Sequence, residues 1–115
     1  MKPAVTLKKN YEFRRLYQRG ASAAGGSMVV YCRKNKLGHN RLGLTSSVKL
    51  GHAVVRNRTR RRLREVYRLN EQKFAPGWDI VVVARSRSAE APFEKLTESY
   101  LRLARKAGLL RQEEA

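Results

Sequence analysis

Between Arg56 and Arg68 seven of thirteen residues are arginine, and the only acid is Glu65. The chemistry open to such a run is phosphate binding: a guanidinium fork makes two parallel charge-assisted hydrogen bonds to a phosphate. On a helix, Arg56, Arg60, Arg64 and Arg68 form a ladder with a step of about 6 Å. Asn57 and Arg61 widen that ladder, while Arg58 and Arg62 fall on the opposite flank. Arg56 with Arg60, Arg58 with Arg62, Arg60 with Arg64 and Arg64 with Arg68 are like-charge i,i+4 pairs. Each costs an isolated helix about 0.2–0.5 kcal/mol, roughly 1–2 kcal/mol together. A polyanionic partner relieves that repulsion, so the stretch Ala53–Arg68 is expected to be a helix that docks on nucleic acid.

Bond-breaking chemistry has no comparable basis. The nine acids, Glu12, Glu65, Glu71, Asp79, Glu90, Glu94, Glu98, Glu113 and Glu114, are scattered, whereas a metal-dependent nuclease clusters carboxylates or histidines around its cations. His39 and His52 fall in expected loops without a partner at ligand spacing. No phosphate-binding glycine loop, nucleophile motif or zinc spacing occurs. Cys32, the single cysteine, sits in an apolar strand pattern and is expected to be a buried structural thiol. The chain by itself is read as non-catalytic.

The elements that must position the arginines follow from length and periodicity. A chain of 115 residues suits one domain, 1–115, with one modest core. Its net charge of +17 implies a polyphosphate or anionic-membrane partner. Insertion in a membrane is not expected, because the longest apolar run is Ile80–Ala84 and a span needs about 20 residues. The opening MKPAVTLKKNYEF lacks the apolar region of a secretory signal, and a lone cysteine suits a reducing compartment, so a cytoplasmic location is expected.

Leu7–Gly20 reads as a short amphipathic helix, with Asn10 as N-cap, Glu12 in the first turn and Gly20 as the stop. Phe13, Leu16 and Tyr17 share one face, and spacing alone favours all three as core. Ala21–Gly26 is a short edge strand or a loop. Ser27–Arg33 is a strand with Met28, Val30 and Cys32 on one face and Val29, Tyr31 and Arg33 on the other. Lys34–Asn40 is expected to be a hairpin-type connection to the strand Arg41–Ser47. There Leu42 and Leu44 oppose the small face of Gly43, Thr45 and Ser47, which suits the floor of a groove. In the arginine helix, Val55, Thr59, Leu63, Val66, Tyr67 and Asn70 make the buried stripe. Pro76-Gly77 ends that segment, and Asp79–Arg85 is apolar enough for a central strand. A last helix starts near Pro92, carries Phe93, Leu96, Tyr100, Leu103 and Ala107 inward, and stops at Gly108. Residues 109–115 are expected to form a frayed tail.

The run Gly51-His52-Ala53-Val54-Val55-Arg56-Asn57-Arg58, followed by Arg61-Arg62-Leu63-Arg64-Glu65, closely resembles the "RNR" signature of the bacterial ribonuclease P protein component. The LKKNYEF opening, the VVY and RLGL strands and the DIVVVAR strand match the same frame, so the resemblance covers nearly the whole chain. Two positions depart from it: Val48 stands where a second lysine is usual beside Lys49, and His52 where asparagine is usual.

The resemblance implies an α/β (α+β) two-layer sandwich of order αβββαβα, like one domain of a small-subunit ribosomal protein. It further implies a four-stranded mixed sheet and a left-handed βαβ crossover, against the general right-handed rule. It implies a catalytic RNA subunit that holds magnesium (Mg2+), with no cofactor intrinsic to the protein, and hydrolysis of precursor tRNA to release its 5′ leader. It assigns RNA-subunit contact to Lys49, Arg56, Asn57, Arg58, Arg60, Arg61, Arg62, Arg64 and Arg68, and leader contact to Phe13, Tyr17 and Tyr31. That last assignment reverses the spacing argument for Phe13 and Tyr17, leaving Leu16 as core. A ribosomal or other structural RNA-binding protein is the alternative. An aromatic cleft opposite the basic helix and the lack of long basic tails favour ribonuclease P. A helix-turn-helix DNA reader fits less well, since a strand precedes the basic helix. A membrane-active helix fits least, because the apolar stripe is narrow.

Overall fold

The structure, a computed structural model, describes residues 5–7 and 9–112. In chain order these form β1 (Val5–Thr6), α1 (Asn10–Arg19), β2 (Ala21–Ala24), β3 (Met28–Lys34), β4 (Arg41–Ser46), α2 (Ala53–Asn70), β5 (Trp78–Ala84) and α3 (Phe93–Lys106). The sheet has five strands in the order β1-β4-β5-β3-β2. The mixed α+β sandwich is as expected, but the strand count is five rather than four. The added strand, β1, pairs parallel to β4 through only two residues, too few for a period-two signal in sequence.

Two further corrections concern connections. β3 and β4 do not form a hairpin, because β5 lies between them, antiparallel to β3 and parallel to β4. β5 takes that central place because it is apolar on both sides: Ile80, Val81 and Val82 are all fully buried. α2 is therefore the crossover between two adjacent parallel strands, so its position is tied to the middle of the sheet. The expected frayed tail is likewise docked at its start. Leu109 and Leu110 are buried, Leu109 accepts from the Ala75 N–H at 2.8 Å, and the Arg111 N–H donates to Lys73 O at 2.8 Å. The rest of that expected tail, residues 113–115, lies outside the described residues.

α1 starts at Asn10, so Asn10 is the first helical residue and Lys9 the N-cap. The Lys9 N–H donates to the Glu12 carboxylate at 3.2 Å, which satisfies one of the end groups that a helix leaves unpaired. Lys8, inside the expected helix, lies outside the described residues. Gly20 does end α1, but with an extended backbone. Its lack of a side chain matters for another reason: a Cβ there would sit 2.7 Å from the Cys32 carbonyl oxygen.

The strands alternate as their sequences require. Met28, Val30 and Cys32 of β3, Leu42 of β4, and Ile80, Val82 and Ala84 of β5 meet Leu63, Val66 and Tyr67 of α2 and Leu96, Tyr100 and Leu103 of α3 in the main core. Thr59 is satisfied within α2 by donating to Val55 O at 2.9 Å. The Cys32 thiol is buried, and burial pushes its pKa up, as suits a structural thiol. On the opposite face Leu7, Leu16 and Val81 form a much smaller cluster, flanked by Phe13, Tyr31 and Val83. α1 lies across that face and covers only part of it.

Candidate nucleic-acid interface

Because α1 covers the sheet incompletely, a cleft remains beside it. Leu16 is the only fully buried residue of α1. Phe13 is half-buried and Tyr17 is 43 % exposed, so the spacing argument that made all three core is overturned for those two. The ring of Phe13 rests on Gly43, where an added Cβ would lie 2.8 Å from ring carbons. Gly43 and Thr45 thus supply the small floor expected of β4. The Tyr17 and Tyr31 rings meet edge to face, with centroids 4.9 Å apart and an interplanar angle of 71°. Asn10, Phe13, Arg14, Tyr17, Leu44 and Thr45 line a cleft of about 370 Å³.

Tyr31 continues the surface into a second, wider groove of about 610 Å³. Val29, Tyr31 and Val83 form its apolar floor, and Lys49, Arg85 and Arg87 line it as cations. The structure thus brings Lys49 to this second groove, beside Tyr31, rather than to the α2 ladder. Arg85 and Arg87 were missed by sequence reasoning. The available signal was two arginines immediately after the central strand, at the end where such strands deliver side chains to an open face.

A set of ion pairs holds α1 over this face. Arg41, at the start of β4, donates from Nη1 to Glu12 of α1 at 2.7 Å. Its Nε and Nη2 reach the two carboxylate oxygens of Asp79, at the start of β5, at 2.9 and 2.7 Å. Asn35 adds a bond to Asp79 at 2.9 Å. Burial alone would raise the Asp79 pKa, but the hydrogen bonds from Arg41 and Asn35 and the Arg41 charge outweigh it and hold the carboxyl below its usual range. Asp79 in turn raises the pKa of Arg41. The clamp also ties up two of the few acids near the cleft, so neither faces an incoming phosphate unpaired.

The arginines of α2 divide into distinct groups. Arg58 and Arg62 turn toward the single-turn 3-10 helix Ser86–Ala89 and its neighbour. Arg58 donates to Ala89 O at 3.4 Å, and Arg62 to Ser88 O at 3.3 Å and to Ala91 O. These two brace α2 against the segment after β5. Arg68 pairs with Glu65 and lowers its carboxyl pKa, and Arg60 bonds Asn57. Arg61 and Arg64 are exposed and make no ion pair among the described residues. Arg56 is half-buried, and its Nε finds no acceptor among the described residues. An unpaired donor there is costly unless an external oxygen takes it. His52 precedes α2, exposed and without a side-chain capping bond; the side chain of Val48 lies outside the described residues.

Among the described residues no three His, Cys, Asp or Glu gather where they could hold a metal ion. The acids nearest the cleft, Glu12 and Asp79, are engaged with Arg41. No helix among the described residues is long and apolar enough to cross a membrane.

Comparison with known proteins converges on one family. The family model described as Ribonuclease P matches residues 1–108. The Ribonuclease P protein component of Natranaerobius thermophilus is 42 % identical over 112 residues, covering 97 % of each chain. That of Thermoanaerobacter sp. (strain X514) is 44 % identical over 105 residues, covering 91 % of this chain and 90 % of the relative. Among solved structures, the Staphylococcus aureus RNase P protein superposes with a TM-score of 0.85 at 34 % identity, covering 94 % of this chain and 99 % of that one. The RNase P protein from Thermotoga maritima gives 0.79 at 31 % identity, covering 87 % and 96 %.

Proposed function

This chain belongs to the ribonuclease P protein family, and from that premise we propose that it grips two RNAs with two surfaces. Family membership makes it the protein subunit of the ribonucleoprotein that forms tRNA 5′ ends, and an RNA partner follows from that. α2, through Arg56, Asn57, Arg60, Arg61, Arg64 and Arg68, grips the catalytic RNA subunit. The cleft of Phe13, Tyr17 and Tyr31, with Lys49, Arg85 and Arg87, takes the 5′ leader of precursor tRNA. Hydrolysis belongs to the RNA subunit, which holds the magnesium ions, and the assembly works in the cytoplasm.

One observation carries this reading: half-covered aromatic rings and a row of cations share the open face of the sheet, while separate arginines stand on α2. Base stacking on such rings is sequence-tolerant and worth about 1–3 kcal/mol per base, which suits a subunit that meets many different leaders. Arginine contacts to phosphate fix register without reading sequence. Arg58 and Arg62 take a lesser share of RNA contact, since they spend donors on Ser88, Ala89 and Ala91.

The test is reconstitution with the cognate RNA subunit. At low magnesium the protein is expected to stimulate cleavage of precursor tRNA, and its affinity for substrate should grow as the leader lengthens. No stimulation overturns the proposal, and stimulation without leader dependence removes the cleft from it.

A further inference from the structure

The outer side of α1, turned away from the cleft, carries a second basic groove. Tyr11, Arg14, Arg15, Gln18 and Arg19 line it, and no carboxylate does. Tyr11 is 54 % exposed, which is unusual for so large a ring with no partner ring. Two cations lie over it, Lys9 Nζ at 5.8 Å and Arg15 Cζ at 5.7 Å from its centroid. Glu12, the only acid of α1, is drawn to Arg41 and to the Lys9 N–H, so it does not neutralise this side. Arg14 lines both this groove and the aromatic cleft, which makes the two surfaces continuous over the top of the helix.

We propose that the outer face of α1 is a second single-stranded RNA site, which receives the distal nucleotides of the leader after they leave the cleft. An exposed ring with two cations close to it supplies both parts of a single-strand contact, a face for a base and charge for the phosphates. A lipid surface does not fit, because one tyrosine is the whole apolar content of the face. Arg14 is the pivot, touching the strand where it crosses α1. The inference rests on the cleft reading above and extends the bound length of the same strand.

The experiment uses the reconstituted holoenzyme and precursor tRNAs with leaders of about 4 and about 12 nucleotides, lengths within the range of single-strand sites. The longer leader is expected to bind more tightly. Tyr11→Ala should remove about 5-fold or more of that gain, while Tyr11→Phe, which keeps the stacking face, should retain it. Binding of the short leader and of the RNA subunit should be unchanged in both variants. The proposal is overturned if the longer leader brings no gain or if the gain survives Tyr11→Ala. It is also overturned if Tyr11→Ala weakens RNA-subunit binding instead, which would assign the face to that RNA. Failure of the cleft reading is a separate result: Phe13→Ala would then leave the short leader's affinity unchanged.

Discussion

The two faces of the sheet use the same alternating strands and put them to different ends. Under α2 and α3, the side chains of Met28, Val30, Cys32, Ile80, Val82 and Ala84 are at most 1 % exposed. There Phe74 bridges the rings of Tyr67 and Tyr100, with centroids 5.0 and 5.9 Å away. Under α1 the buried hydrophobic cluster is just Leu7, Leu16 and Val81 among the described residues, and the ion pairs of Arg41 add to the hold on the helix. The closed face meets the chain's need for burial. The open face can therefore leave Phe13, Tyr17 and Tyr31 partly bare, at a cost in burial.

The largest effect expected from this contrast is on stability. Leu63→Ala, in the middle of the closed face, should cost about 2–5 kcal/mol in urea unfolding, because the packed layers around it cannot collapse. Leu16→Ala should cost less, since its cavity opens beside a cleft into which α1 can settle. Equal losses would mean that the two faces are equally committed to folding, and the contrast would fail.

A second effect separates binding from folding. Phe13→Ala or Tyr31→Ala should change stability little but weaken leader-bearing substrate by about 1–3 kcal/mol, roughly 5- to 150-fold, with RNA-subunit binding unchanged. Arg61→Ala with Arg64→Ala should do the reverse, and lower the salt slope of RNA-subunit binding by about 1 per arginine. Titration of each variant against the RNA subunit alone and against the holoenzyme's substrate makes the distinction. The same pattern from both sets would merge the two surfaces into one.

The closed face was the more legible of the two in the sequence. The buried stripe of α2 is recovered at Thr59, Leu63, Val66 and Tyr67, because burial against one partner imposes the helical period. Period says nothing of how completely a face is covered, so Phe13 and Tyr17 could not be told from Leu16 by spacing. It took a resemblance to the family to separate them. Arg58 and Arg62 illustrate a second limit. Their place on the far flank of α2 was readable, but their acceptors are backbone carbonyls of Ser88, Ala89 and Ala91, contacts that leave no mark in residue type. The insertion of β5 between β3 and β4 was unreadable for a similar reason: strand pairing over a long sequence separation is decided by the whole sheet. The apolar character of β5 on both sides pointed only to a central place.

The smallest effect concerns the clamp that keeps the open face in shape. The Asp79 pKa lies below its ordinary 3.8, so the stabilisation it brings is full above that value and is lost as pH falls through the lower folded-state value. Asp79→Asn should therefore be less stable than the parent near neutrality, by about 1 kcal/mol, since Arg41 keeps its bond to Glu12 and some access to water. The gap between them should close as pH drops below about 4. A clamp that acts on α1 rather than on the main core should show first at the Tyr17–Tyr31 contact, as line broadening of those rings in the variant while Tyr67 and Tyr100 stay sharp. Equal broadening at all four rings would place Asp79 in the global stability of the fold, and the open face would then owe its shape to something other than Arg41.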